Sequence, residues 1–297
     1  MKSKPNSIGL VLILLAGVFW GSMGLFVRRL QALGFDPVQI TAVRLRFAAI
    51  GFCAILLLQN PKSFLIRPKD IPLFLGLGLG SILFFTVCYF TAISLMPLST
   101  AAILLYTSPI WVMLLSVLLF HEKLTGPKLL ALAMAFGGCA LVSGLGGEAV
   151  TPGALLIGLG AGLGYGLYSI LGAIALRRYP PLTVTAWTFL IAGLGSVFLR
   201  SPLAIRNQLL GFASNAQVWS VVLFFALMAL VTAVIPFLAY TQGLRTVEPS
   251  RAAIFATVEP VVASLLGALV FREPLTLPSV LGIALVLAAV VILNQRA

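Results

Sequence analysis

The chain has 297 residues, of which 61% are hydrophobic and 9% charged. Soluble domains run near about 45–50% and about 25%, so no aqueous fold could cover this much apolar surface, and most of the solvent must be lipid. The net charge of +12 is not gathered on one polar surface. It is spread over the gaps between apolar runs, which argues against nucleic acid and for affinity toward anionic headgroups.

Ten apolar runs lie at 8–27, 37–58, 71–94, 99–119, 127–144, 153–175, 182–199, 217–243, 249–271 and 278–294. Most are close to the ~20 residues that cross a bilayer core of roughly 30 Å. The short connections leave no room for a soluble domain. Segment one reads as an anchored first span, because its apolar stretch exceeds the roughly 7–15 residues of a signal core. It contains Trp20-Gly21. Segment two carries Arg44 and Arg46. Two positions apart they point about 200° from each other on a helix, so one faces inward and the other snorkels or meets a neighbour. Helix geometry leaves open which of the two turns inward.

Segment three holds Gly76, Gly80 and Tyr89, and segment four holds Tyr106, Ser108 and Pro109. Cys53, Cys88 and Cys139 fall in separate runs. They are too scattered for a metal cluster or disulfide framework, and read as packing residues. Segment six contains Gly158, Gly162 and Gly166, a small-residue stripe for close helix packing rather than a phosphate loop. It also contains Tyr165. Segment seven carries Trp187, and segment eight carries Pro236 and Tyr240. Segment nine carries Glu259-Pro260. At about 1.5 Å per residue Glu259 lies some 15 Å from the start of its span, near mid-membrane, where an ionisable group is costly and marks a functional candidate. It is either a proton- or cation-binding group or a structural carboxylate.

The chain is written twice. Thr100–Ile103 matches Arg251–Ile254, Pro109 matches Pro260, Phe120 matches Phe271, Glu122 matches Glu273, and Tyr89 matches Tyr240, all 151 positions apart. Ala16-Gly17 and Trp20-Gly21 match Ala161-Gly162 and Tyr165-Gly166 at a slightly shorter offset. The expected units are residues 1–147 and 148–297. Each has an odd number of spans, so the second enters the membrane inverted. Inverted repeats with matched helix breaks place a substrate site near the midplane. Prolines 109 and 260 each withdraw a donor from the carbonyl four residues back, on Leu105 and Ala256.

All six lysines, and twelve of the nineteen basic residues, fall on the side that carries the termini. The positive-inside rule then makes both termini cytoplasmic. The sole histidine, His121, sits at a loop edge, and no pair of membrane-embedded acids is present. That leaves intramembrane metal chemistry without a ligand set. A serine-hydrolase elbow is missing too, so no enzyme is expected, nor any cofactor.

These features together resemble the EamA-type exporters of the drug/metabolite transporter superfamily. They are Trp20-Gly21, Arg46-Phe47, Glu259-Pro260, and Phe120-His121-Glu122 and Phe271-Arg272-Glu273, each motif running on to Leu-Thr. The resemblance covers about 9–294. It implies a bacterial inner-membrane carrier that exports amino acids or related metabolites. The family usually has glycine where this chain has His121 and Arg272. The expected architecture is an all-α integral membrane protein of ten transmembrane helices in two inverted five-helix repeats. The expected function is export of a small organic solute, favouring an amino acid or similar zwitterion, possibly coupled to protons, by a monomer or weak dimer. A multidrug or cationic-compound exporter, or an importer or facilitator of the same fold, is the alternative. The expected substrate-binding residues are Trp20, Arg46, Tyr89, Tyr106, Ser108, Tyr165, Trp187, Tyr240 and Glu259, with Pro109 and Pro260 as helix breaks.

Overall fold

The computed structural model describes residues 7–96, 98–143, 151–212, 214–272 and 274–295. The expected seam at 147/148 and Glu273 lie outside the described residues. Among the described residues the fold is wholly helical. Nine helices are long and apolar enough to cross a membrane: α1 (Ser7–Ala32), α2 (Pro37–Gln59), α3 (Pro68–Leu95), α4 (Thr100–Phe120), α5 (Gly126–Ser143), α6 (Pro152–Ala175), α8 (Asn215–Gly243), α9 (Pro249–Phe271) and α10 (Leu277–Asn294). The remaining expected span, α7 (Pro181–Gly195), is regular for fewer residues. It continues as turns to Leu199, and a short helix, Pro202–Leu210, connects it to α8.

Large apolar side chains on the outer surface, such as Leu118, Phe198 and Leu269, are exposed. In water that surface would be a liability; in hydrocarbon it needs no cover. Small residues and buried aromatics occupy the interior instead.

Repeat symmetry appears in the backbone. His121 and Arg272 end α4 and α9 in the left-handed conformation, with φ of 53° and 56°. They are the only described non-glycine residues with positive φ. This conformation is the usual C-cap of a helix, and glycine adopts it without strain. The structure thereby gives a reason for the glycine usual in the resembling family. Both α3 and α8 contain a π-helical stretch, Gly76–Leu83 and Leu230–Val234. The 151-residue offset superposes 232 on 81.

Helices pair across the halves. α2 packs on α7, α5 on α10, α1 on α8, and α3 on α6. Smooth faces permit this: Cβ atoms added at Gly138 and Gly282 would lie 2.7 and 2.6 Å from each other's carbonyl oxygens on α5 and α10. The stripe on α6 behaves as expected, with Gly158, Gly162 and Gly166 all facing α4. In α3, Gly76 meets Leu171, but Gly80 faces open space, so only one of that pair serves packing.

The face bearing the termini is tied across the halves by charge. Lys128 reaches Glu122 at 3.0 Å and Glu248 at 2.7 Å. The Ser250 hydroxyl donates to the Glu122 carboxylate. On the same face Asp70 accepts from Arg178 and from the Tyr179 hydroxyl, both at 2.6 Å.

Candidate functional site: a central aromatic cavity at two broken helices

The breaks in α4 and α9 fall ahead of the prolines. In α4 the helix stops at Leu105 and resumes at Ser108. In α9 it stops at Ala256 and resumes at Val258. At each break a threonine folds back on itself. Thr107 sends its N–H (3.2 Å) and hydroxyl (2.6 Å) to Leu104 O. Thr257 sends its N–H (3.1 Å) and hydroxyl (2.6 Å) to Ile254 O. Pro109 and Pro260 then stand in the first turn of the new segment, where a missing N–H costs nothing.

The carbonyls of Leu105 and Ala256 meet glycine. A Cβ on Gly162 of α6 would lie 3.3 Å from Leu105 O and 2.7 Å from Leu104 O. A Cβ on Gly17 of α1 would lie 3.2 Å from Ala256 O, and one on Gly21 would lie 2.6 Å from Glu259 O. Each half's first helix therefore seats its glycines on the broken helix of the other half. The freed carbonyls are covered by close backbone approach.

The break also accounts for the membrane-embedded acid. Glu259 lies in the first turn of the segment Val258–Phe271. The unpaired N–H groups of a helix start favour a carboxylate there. Glu259 is half-buried and accepts the Tyr165 hydroxyl at 2.9 Å.

Around this pair runs a chain of rings. Trp20 lies 6.2 Å from Tyr165, 5.0 Å from Phe237 and 5.3 Å from Tyr240 between centroids. Phe85 continues the chain from Tyr165 (5.4 Å) to Tyr89 (5.9 Å). The polar edges are largely fixed. Tyr240 and Ser169 share a hydrogen bond of 2.7 Å, and Tyr168 and Thr241 share one of 2.6 Å. These rings enclose a cavity of about 30 Å³, also lined by Ser81 and Ser108. Small-molecule sites measure about 300–1,000 Å³, so in this conformation the rings have closed on the space.

Of the residues expected from sequence, Trp20, Ser108, Tyr165 and Tyr240 line this cavity, and Glu259 is joined to it through the Tyr165 hydroxyl. Tyr89 stands at the end of the ring chain. Tyr106 packs with Cys139 and Val261, within electrostatic reach of Glu259. Two residues go elsewhere. Trp187 donates to Phe64 O (3.0 Å) and packs at a tilt against the Phe64 ring at the connection between α2 and α3. Arg46 donates through Nε to Ser196 Oγ and through Nη2 to Ser196 O, both at 3.1 Å, and also to Arg200 O. It satisfies carbonyls at the frayed end of α7.

The expectation that Arg46 turns inward therefore does not hold in this structure. Arg44 is the buried arginine, 7% exposed. Its Nη1 donates to Thr232 O at 3.2 Å and to Met23 Sδ at 3.4 Å. Pro236, four residues on, has no N–H to offer that carbonyl, and this leaves it free for Arg44. Arg44 lies within electrostatic reach of Glu259 and Tyr165, but no direct ion pair joins Arg44 and Glu259. Sequence reasoning missed Ser81, Phe237 and the Arg44–Thr232 contact. The 151-residue offset that matches Tyr89 with Tyr240 also carries Ser81 onto Thr232, but it does not point to Arg44.

The EamA-like transporter family matches the chain twice, over residues 7–144 and 151–295. The chain belongs to that family. An "uncharacterized transporter" of Archaeoglobus fulgidus is 32% identical, covering 94% of each chain. The "uncharacterized inner membrane transporter YedA" of Escherichia coli is 27% identical, covering 93% of this chain and 87% of its own. A crystal structure 18% identical in sequence superposes with a TM-score of 0.80 and covers 98% of both chains, which shows the shared fold. This is a multi-pass membrane protein of the EamA-like family, whose named relatives are transporters.

Proposed function

We propose that this EamA-like protein is a secondary active carrier that exports a small zwitterionic metabolite, an amino acid or close relative, by alternating access. The carrying observation is the pair Arg44 and Glu259. An acid bonded to one of the cavity's rings and a buried arginine within its electrostatic reach do not pair directly. A solute with both an amine and a carboxylate supplies the missing partners, the guanidinium taking the carboxylate and Glu259 the amine. The contracted cavity supports the alternating-access reading, because rings that close to about 30 Å³ must part to admit such a solute. The basic residues on the terminal face favour a cytoplasmic location for both termini, in a bacterial inner membrane. Proton coupling assigns Glu259 a second task, exchanging the solute's amine for a proton.

Counterflow of radiolabelled amino acids in proteoliposomes tests this. Saturable flux should fall at least tenfold in Arg44→Met for carboxylated solutes and lose its pH dependence in Glu259→Gln. Full activity of both variants refutes the pair as the site. Transport of lipophilic cations that survives Arg44→Met and fails in Glu259→Gln would favour the cationic-compound reading, for which the Trp20, Phe237 and Tyr240 rings offer cation–π surfaces.

A further inference from the structure

Several hydroxyl groups in these helices bond back to their own backbone. Thr86 donates to Ile82 O, Thr188 to Val184 O, Ser196 to Gly193 O, and Thr232 to Met228 O. Such back-bonding is the usual resting place of a serine or threonine inside a helix. Ser81 breaks the pattern. It is fully buried, and its Oγ has no partner among the described residues. It stands in the π-helical stretch Gly76–Leu83. Its repeat counterpart Thr232 lies in the matching π stretch yet keeps its internal bond at 2.8 Å. The two halves therefore share the backbone device and differ in what the side chain does with it.

A second buried polar atom without a partner belongs to another residue lining the same cavity. Trp20 is 7% exposed, and its Nε1 has no acceptor among the described residues. Of the eight buried side-chain polar atoms in this condition, only those of Trp20 and Ser81 belong to residues lining the central cavity. A buried donor left unpaired costs about 1–3 kcal/mol, so a pair of them on one cavity is a standing cost that a ligand can remove. π-helical turns occur frequently at functional sites.

We propose that Trp20 Nε1 and Ser81 Oγ are the recognition points for an uncharged acceptor oxygen, a hydroxyl or carbonyl, on the transported solute. The indole N–H can only donate, and a serine hydroxyl can donate as well. Either can donate to an acceptor oxygen, and neither gains from a methyl group in its place. The site rests on the zwitterionic reading above for its charged ends, and adds the chemistry of the solute's third substituent. A site built to bond an oxygen rejects the analogue lacking it, because the site's own donors stay unpaired.

The test uses L-threonine and L-valine, which have nearly the same shape and differ in a hydroxyl for a methyl. Uptake of each is measured in proteoliposomes holding the full-length protein, its Ser81→Ala variant or its Trp20→Phe variant. The wild type should favour threonine. Ser81→Ala should lower the threonine-to-valine ratio of kcat/KM by about tenfold, and Trp20→Phe should shift the ratio the same way. Valine flux in each variant reports an intact carrier. Equal loss of both amino acids, or threonine flux unaffected by both substitutions, overturns the proposal while leaving the zwitterionic reading in place. A wild type that moves neither amino acid refutes both.

Discussion

Lys128→Met should loosen the face that carries the termini. The lysine's side chain is 10% exposed and that of its partner Glu122 is 7% exposed, while Glu248 is 47% exposed. Methionine keeps the apolar stem and its length, so the change is one of charge. Removing one partner of a buried ion pair costs about 3–5 kcal/mol, because the other charge stays buried. The half-exposed Glu248 adds no more than about 1 kcal/mol. Glu122 keeps the Ser250 hydroxyl on one oxygen, but its Oε1 already lacks a partner, so relief through rearrangement is small. The expected loss is about 3 kcal/mol. Unfolding in mixed micelles at increasing SDS fraction measures it for Lys128→Met, Glu122→Gln and the double variant. The double variant should recover about 2 kcal/mol relative to the sum of the singles. Additive effects, or a single-variant loss under about 0.5 kcal/mol, would show that this buried pair does not stabilise the face that carries the termini.

The left-handed caps offer a change of opposite sign. His121→Gly and Arg272→Gly should each stabilise the protein by about 1 kcal/mol, the strain of a side chain in that conformation, read in the same unfolding assay; a loss of stability in both would contradict the capping account. The glycine seats should be intolerant of bulk. Gly162→Leu forces a side chain against Leu104 O, where even a Cβ would stand at 2.7 Å. A destabilisation of about 1–3 kcal/mol is expected, together with lost transport, whereas Gly80→Ala, which faces open space, should change neither.

Much of the architecture was legible because bilayer solvent imposes a length on every span, and only the shorter α7 fell below it. The residues that met at the cavity were those with two independent signs. Tyr240 and Glu259 had a repeat partner and a depth, and Trp20 and Tyr165 matched each other. Trp187 had depth alone, and its indole goes to a loop carbonyl on Phe64 that no helical pattern reveals. The choice between Arg44 and Arg46 turned on helix rotation and on a carbonyl freed by Pro236 in another helix. Local sequence carries no record of that pairing. The π stretches were equally hidden, because one extra residue in a turn leaves an apolar run apolar. The threonines that start the breaks stand one position out of register with the 151-residue alignment, so the prolines drew notice first.

The crossed seating of the first helices decides what can move as a block. Gly17 and Gly21 hold α1 against α9, while Gly162 and Gly166 hold α6 against α4. Drawing the first five helices away from the last five would tear both seats at once. The chain's midpoint is therefore a genetic boundary and not a mechanical joint. Units that shift while keeping their backbone contacts must each include helices from both halves. A chain severed between α5 and α6 would accordingly yield two fragments, each carrying a helix that only the other can receive. Neither should fold alone, and the two made together should rebuild the carrier.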